Sequence, residues 1–330
     1  MVRRFLSRQV FRGGVLALGA CLPLTCLAPS AEAIQFDSFD PTRHERFLGD
    51  DSNNPDFLLA GFDLSGIAKR GNAGSGAVLI TPQHFITADH FLPTAVNGSV
   101  TFRGTDGTDR SYTVTGYDQL ITNVNTLSGP VVGGSDLTIG TLAAPIDPLT
   151  DFINPLPIAF AFDINDFVGL EVFTFGNGDL AGRNVISSVN LSTFAGGDRP
   201  SLTFSTLYET VENSGGDDIG PLTDGLGPDE AGLQGGDSGN AALTVIDGEL
   251  AVLGSHFGIS LGGPFDDFDQ YSSTSSLFSP YILQVFDVVQ DEGQFFDVAF
   301  VPIPEPSTAA VLLLGLSLAA VRRRSSHAPS

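Results

Sequence analysis

Three short segments of the 330-residue chain contain the residue types needed for nucleophilic acyl transfer. Ile86-Thr87-Ala88-Asp89-His90 ends an apolar run in a histidine. Gly134-Ser135-Asp136-Leu137-Thr138-Ile139-Gly140-Thr141-Leu142 opens an alternating run with an aspartate, and Gly235-Gly236-Asp237-Ser238-Gly239-Asn240 sets a serine in a glycine-rich turn. A serine hydroxyl attacks well only when a neighbouring base takes its proton, and histidine titrates close enough to neutrality to serve. The imidazolium formed in that step needs a carboxylate to hold its tautomer and balance its charge. Glycines around the serine leave room for backbone amides to converge on a developing oxyanion.

Strands are the elements that must position these groups. From Phe57 to Thr274 the chain reads as short apolar runs bounded by Gly, Pro, Asn and Asp. Gly76–Thr81, a Pro82-Gln83 turn and His84–Thr87 predict a hairpin. Further strands are expected at Tyr112–Gly116, Leu137–Leu142, Glu171–Phe175, Val185–Leu191, Ser201–Leu207, Asn240–Ile246, Leu250–Ser255 and Gln270–Thr274. That spacing suits an all-β sandwich or a pair of barrels. One helix closes the series, with Ser279 as cap, Pro280 at its first position, and Tyr281, Ile282, Val285, Phe286 and Val289 on one face.

The three segments, in the order His, Asp, Ser, resemble the trypsin/chymotrypsin-like serine proteases, which read T-A-A-H, D-[IL]-[AT]-L and G-D-S-G. The gaps, 46 residues from His90 to Asp136 and 102 from Asp136 to Ser238, suit two barrels of that class, and the likeness runs from about Ser65 to Gln290. It implies an all-β, chymotrypsin-like fold of two six-stranded antiparallel β-barrels with a C-terminal helix and the active site between them. Carried over by position, Ser238 is the nucleophile, His90 the general base and acid, and Asp136 the orienting carboxylate. The amides of Gly236 and Ser238 then form the oxyanion hole, and Asp118 is the rival for the aspartate if the alignment slips. An α/β-hydrolase elbow is disfavoured, because it requires Gly-x-Ser-x-Gly with the order Ser, acid, His, whereas Asn240 holds the last position.

Several positions depart from the family pattern. Asp89 replaces the small residue before the histidine, which places a second carboxylate beside the base, and Phe91 stands where vertebrate members carry a disulfide cysteine. The substrate wall, serine-tryptophan-glycine in the family, is Ser255-His256-Phe257-Gly258, and Gly232 holds the place of the aspartate that selects Lys or Arg. Trypsin-like specificity is therefore not expected. Gly254-Ser255-His256-Phe257-Gly258 also matches the segment in which glutamate-specific bacterial relatives carry a histidine for an acidic side chain; the alternative is a wall histidine bonded locally. In activated relatives the residue at Asp237 pairs with a freshly cut N-terminus. No Ile-Val-Gly-Gly-like start is visible, and Ile34, following a signal-peptidase cut, is the one candidate for such a terminus.

Other candidate groups have simpler readings. His84 falls within a strand and reads as structural, His44 lies in a polar arm, and His327 lies in the tail. The acidic clusters Asp50-Asp51, Asp217-Asp218 and Asp266-Asp267-Phe268-Asp269 lack calcium-loop spacing and read as solvated surface. No zinc or nucleotide motif is present, so neither metal nor cofactor is expected.

Both ends read as addresses. A basic start, an apolar stretch from Val15 to Leu27 and Ala31-Glu32-Ala33 before Ile34 predict a secretory signal peptide, with Leu18-Gly19-Ala20-Cys21 as a weaker lipoprotein alternative. At the other end Pro304-Glu305-Pro306 precedes the apolar run Thr308–Val321 and then Arg322-Arg323-Arg324. As a helix that 14-residue run spans about 21 Å, short of a ~30 Å hydrocarbon core. The trio resembles the PEP-CTERM sorting signal of Gram-negative bacteria that export proteins with extracellular polysaccharide. The resemblance implies signal peptidase and an exosortase-type enzyme as processing partners, transient membrane association through the tail, and a destination in the cell envelope or extracellular matrix.

Between these ends, from Ile34 to Ile303, eight basic residues face 36 acidic ones, and neither Cys21 nor Cys26 falls in that span. So acidic a body excludes nucleic acid as a partner, since phosphate binding requires a basic face. The expected organisation is a signal peptide at 1–33, an arm at 34–56, barrels at 57–150 and 151–292, a linker at 293–303 and a sorting tail at 304–330. The expected activity is that of a secreted serine endopeptidase acting on protein or peptide substrates. The alternative is an inactive protease-like binding or matrix protein.

Overall fold

The computed structural model describes residues 34–69, 76–193, 199–208, 226–261, 271–291 and 298–303. Both sequence-predicted addresses, His327, Asp217-Asp218 and Asp266–Asp269 lie outside them.

A five-stranded antiparallel sheet comes first. It holds β2 (Val78–Leu79), β3 (His84–Ala88), β4 (Ser99–Arg103), β5 (Asp109–Thr126) and β6 (Gly129–Leu142), in the order β2-β3-β6-β5-β4. The sequence predicts a closed six-stranded barrel here. Its sixth position is occupied by Gly66–Lys69, which joins the two edges through single bridges, Ile67 to Val78 and Ala68 to Phe102. The amides of Ala68 and Lys69 donate to Ala77 (2.9 Å) and Thr101 (2.8 Å), so successive residues serve opposite edges and no ladder forms. Phe85, Val100, Phe102, Val114 and Leu142 fill the interior of this sheet.

The second sheet is closed. β8 (Glu171–Gly176), β9 (Leu180–Thr193), β10 (Pro200–Tyr208), β12 (Ala241–Ile246), β13 (Glu249–Leu261) and β14 (Tyr271–Leu277) run β12-β8-β9-β10-β14-β13, and β12 pairs again with β13 to seal the barrel. Phe167, Ile186, Phe204, Ala251 and Leu253 occupy its interior. A third apolar cluster joins the two sheets, packing Ile86, Leu137 and Ile139 with Phe175, Leu243 and Val252.

Around this body run segments with weaker sequence signals. The segment read as a linker contains β15 (Phe300–Pro302), which pairs in parallel with β7 (Ile158–Phe160) on the barrel sheet. Burial of Val298, Val301 and Ile303 explains that attachment, so 298–303 belongs to the folded body. The arm residues Gln35–Phe36 form β1, which pairs with β11 (Ala231–Gly232) just before the glycine-rich turn. A single helical turn, α1 (Pro41–His44), follows, capped by the Asp40 side chain on the Thr42 amide. Asp229 holds this turn down, accepting from Arg43 and His44 and pairing with Arg183 at 3.2 Å.

The closing helix forms where expected. A 3-10 turn over Ser279–Tyr281 leads into the α-helix Ile282–Asp291, with Tyr281, Val285 and Val289 buried. Ser279 does not cap it. The hydroxyl of Ser279 is buried and donates to the Ala161 carbonyl at 3.2 Å, tying the turn to the strand beneath instead.

Candidate active site

The register of β3 against β6 brings His90 and Asp136 together. Ala88 lies opposite Leu137, so the residues after β3 meet those before Leu137, and the Asp89 amide donates to the Asp136 carbonyl at 2.8 Å. One residue on, His90 donates its own amide to Asp136 Oδ1 at 3.0 Å, and its Nδ1 lies 2.7 Å from Asp136 Oδ2. Asp136 is fully buried, and its amide donates to Ser201 Oγ at 2.7 Å. Burial pushes the Asp136 carboxyl up from its ordinary range, and the hydrogen bonds from His90 and the charge of Arg199 oppose that rise.

On the other side of the imidazole, His90 Nε2 lies 2.8 Å from Ser238 Oγ. A carboxylate can only accept, so Nδ1 carries the proton and Nε2 is left to accept from the serine hydroxyl. Ser238 sits in the turn between β11, which pairs with β1, and β12 of the second sheet. Its turn uses two left-handed glycines, Gly236 (φ 101°) and Gly239 (φ 80°), a conformation in which a side chain would be strained. The Asp237 carboxylate points inward, accepting from the amides of Asn177 and Gln234, each at 2.8 Å. Gly76 touches the turn from the first sheet: a Cβ there would collide with Asn240, and the Gly76 carbonyl accepts from Thr87 Oγ1 at 2.8 Å.

A cavity of about 580 Å³ opens over this group, and His90, Ser238, Ser192, Thr193, Phe257 and Thr274 are among the residues that line it. Of the wall residues expected from the sequence, His256, Phe257 and Gly258 reach the cavity. Gly232 and Ser255 are buried away from it: Gly232 pairs with Gln35 in β11, and Ser255 lies on β13 opposite Ala241. His256 is 1% exposed, its Nδ1 2.9 Å from Ser275 Oγ and its Nε2 2.7 Å from the Phe175 carbonyl. A carbonyl oxygen only accepts, so Nε2 carries the proton and Nδ1 takes the serine hydroxyl. Burial holds the ring neutral, with its pKa pushed down to about 3. Both nitrogens are thus committed within the protein, as in the local wall reading of this residue.

The remaining sequence candidates lie elsewhere. Asp118 sits on β5 opposite Ile139, and it is Asp136 that meets the histidine. His84 is buried within β3 beside Thr81 Oγ1 at 2.8 Å, and His44 is buried against Asp229. Asp50 accepts from Ser52, and Asp51 pairs with Lys69 and Arg103. Asp89 turns away from the imidazole toward Thr138, Gln119 and Arg199. Sequence reasoning missed Arg199 and Ser201; the usable signal was a lone cation and a proline, Arg199-Pro200, at the head of a predicted strand.

Residues 302–325 match the family model described as the PEP-CTERM protein-sorting motif. The motif marks the chain as a secreted bacterial protein directed to the cell envelope and processed by an exosortase-type enzyme. Comparison with the curated proteins returns no match. Among solved structures the chain is similar to the murine norovirus NS6 protease, at 13% identity and a TM-score of 0.36 over 65% of this chain and 97% of that one. It is also similar to kallikrein-related peptidase 10, at 13% identity and a TM-score of 0.39 over 70% of this chain and 96% of that one.

Proposed function

We propose that this protein is an exported serine endopeptidase of the trypsin/chymotrypsin type. One observation carries the reading: the unbroken hydrogen-bonded chain from Asp136 through His90 to Ser238, at 2.7 and 2.8 Å, facing an open cavity. Ser238 Oγ attacks the carbonyl carbon of a peptide bond while His90 Nε2 removes its proton. Asp136 remains a carboxylate and stabilises the imidazolium through the Nδ1–H bond. The tetrahedral oxyanion is received by the amides of Gly236 and Ser238. As the C–N bond breaks, His90 returns its proton to the leaving amine, and the acyl group stays on Ser238. Water, deprotonated by the same imidazole, then hydrolyses the ester and restores the serine.

The substrate is a protein or peptide with no requirement for Lys or Arg: Gly232 lies away from the cavity, and Asp237, the one carboxylate among the lining residues, is turned onto the amides of Asn177 and Gln234. Signal peptidase removes the first 33 residues, the tail holds the chain transiently at the membrane, and the mature enzyme works in the envelope or extracellular matrix of a Gram-negative bacterium. A fluorophosphonate probe tests the reading. Covalent capture at Ser238, abolished in Ser238→Ala and accompanied by hydrolysis of a peptide library, is the expected result. Absence of capture on well-folded protein overturns it in favour of a binding role.

A further inference from the structure

Asp89 is an unusual residue to find next to a catalytic base, and its surroundings give it a task. Its Oδ1 accepts from Thr138 Oγ1 on β6 at 3.0 Å. Its Oδ2 accepts from Gln119 Nε2 on β5 at 3.0 Å and from Arg199 Nε at 2.9 Å. Arg199 comes from the other sheet, immediately ahead of β10. The two residues after it also hold the first sheet: the Pro200 carbonyl accepts from Thr122 Oγ1, and Ser201 Oγ accepts the amide of Asp136. Pro200 also packs against Gly133, where a Cβ would have no space. Behind them the Tyr281 hydroxyl lies 2.7 Å from Thr122 Oγ1 and accepts the Leu202 amide at 3.0 Å.

We propose that Arg199 is a positioning residue: by pairing with Asp89 it clasps the strand ends bearing His90 and Asp136 to the sheet that carries Ser238. The inference rests on the endopeptidase reading above. Proton transfer from Ser238 to His90 crosses from one sheet to the other, so the distance between sheets at this point sets the geometry of the reaction. A misplacement of about 1 Å is enough to cost a hundredfold in rate. Both partners are partly exposed, Arg199 at 29% and Asp89 at 21%, so the pair contributes little to global stability and its removal leaves the fold intact. Arg199 also supplies the counter-charge to a carboxylate that Thr138 and Gln119 bond without neutralising, one residue from the base.

The test uses the full chain with Arg199→Ala, Arg199→Lys, Asp89→Asn and the Asp89→Asn/Arg199→Ala pair. Three readouts are taken together: kcat and KM on a peptide, the melting temperature, and the downfield proton resonance of His90 Nδ1–H. Arg199→Ala is expected to lower kcat about ten- to a hundredfold with KM and melting temperature nearly unchanged, and to shift or broaden the His90 resonance. Arg199→Lys should recover most of the rate, and the double variant should be no slower than Arg199→Ala. Unchanged kcat and resonance in Arg199→Ala overturn the proposal, as does a loss confined to KM or melting temperature that lysine does not rescue. If the wild-type chain neither captures the probe nor cleaves peptide, the endopeptidase reading fails, and the His90 resonance still decides the clasp. Its loss in Arg199→Ala and return in Arg199→Lys support positioning; its constancy overturns it.

Discussion

His256 donates its Nε2 proton to the carbonyl of Phe175 at 2.7 Å, tying a residue of the cavity wall on β13 to β8, two strands away in the barrel. A ring so committed has no proton to offer an acidic side chain. Replacing His256 by Val should leave the preference for Glu over Leu at the cleaved position unchanged in a paired-peptide assay. Stability should fall by about 1–3 kcal/mol, because the buried Phe175 carbonyl loses its donor. A preference that moves sharply toward Leu would restore the acidic-substrate role.

His84 supplies a pH dependence of a different kind. Burial alone pushes its pKa down to about 4, so the folded state keeps the ring neutral while the unfolded chain, with an ordinary value near 6.5, takes up a proton. Between those values the unfolded state binds more protons, and stability falls as the pH falls, by about 1.4 kcal/mol per pH unit for a single group. Urea unfolding at pH 5 and pH 7 should show a smaller difference in His84→Phe than in the wild type. Equal differences would show that the ring does not titrate in this way.

For the proposed catalytic group, the fold should survive where the rate does not. Asp136→Asn leaves a side chain of the same shape but frees His90 to adopt the wrong tautomer, and kcat should drop about 10⁴-fold. Melting temperature and kcat/KM measured on the same preparation check this. A loss explained by unfolding, or a drop below tenfold, would count against the assigned role.

Gly236 tests the oxyanion hole through the backbone. Its φ of 101° is strained for any side chain, so Gly236→Ala rotates the peptide that carries one of the proposed donors. The expected cost is about 10²- to 10³-fold in kcat, with KM little altered.

Asp229 tests the anchoring of the arm. Arg43, His44 and Arg183 converge on its buried carboxylate; burial disfavours the charge, but these partners outweigh it and hold the pKa below the ordinary range. Asp229→Ala takes the acceptor from Arg43 and from the buried His44 and the ion-pair partner from Arg183, and should cost about 1–3 kcal/mol of stability by urea unfolding. Faster proteolysis within residues 34–56 should accompany it.

The parts that could be read from sequence are those whose pattern is local. The strands β2, β3, β5, β6, β8, β9, β10, β12, β13 and β14 each overlap a run expected from the sequence, and the helix announced itself through Ser279-Pro280 and its apolar face; β4, β7 and β11 are not among the strands read from sequence. That His90, Asp136 and Ser238 come together was legible because each lies in a short segment whose flanking residues carry the resemblance. What escaped detection depends on distant partners. β15 is three residues long and strand-forming only because β7 offers it an edge, and Gly66–Lys69 satisfies two edges at once, which no periodicity records. Ser279 looks like a cap in sequence, but the Ala161 backbone competes for its hydroxyl. Arg199 could not be joined to Asp89 across 110 residues by spacing alone.

β15 carries one further consequence. The sorting motif begins at residue 302, inside a strand hydrogen-bonded to the body, and Ile303 still donates its amide to Phe160 at 2.8 Å. Sheet and signal therefore overlap in the chain, with no spacer between them. This last strand cannot complete its pairing with β7 without the first residue of the sorting motif, Pro302, which lies opposite Phe160. The opening residues of the motif are thus part of the folded body itself, with Ile303 buried.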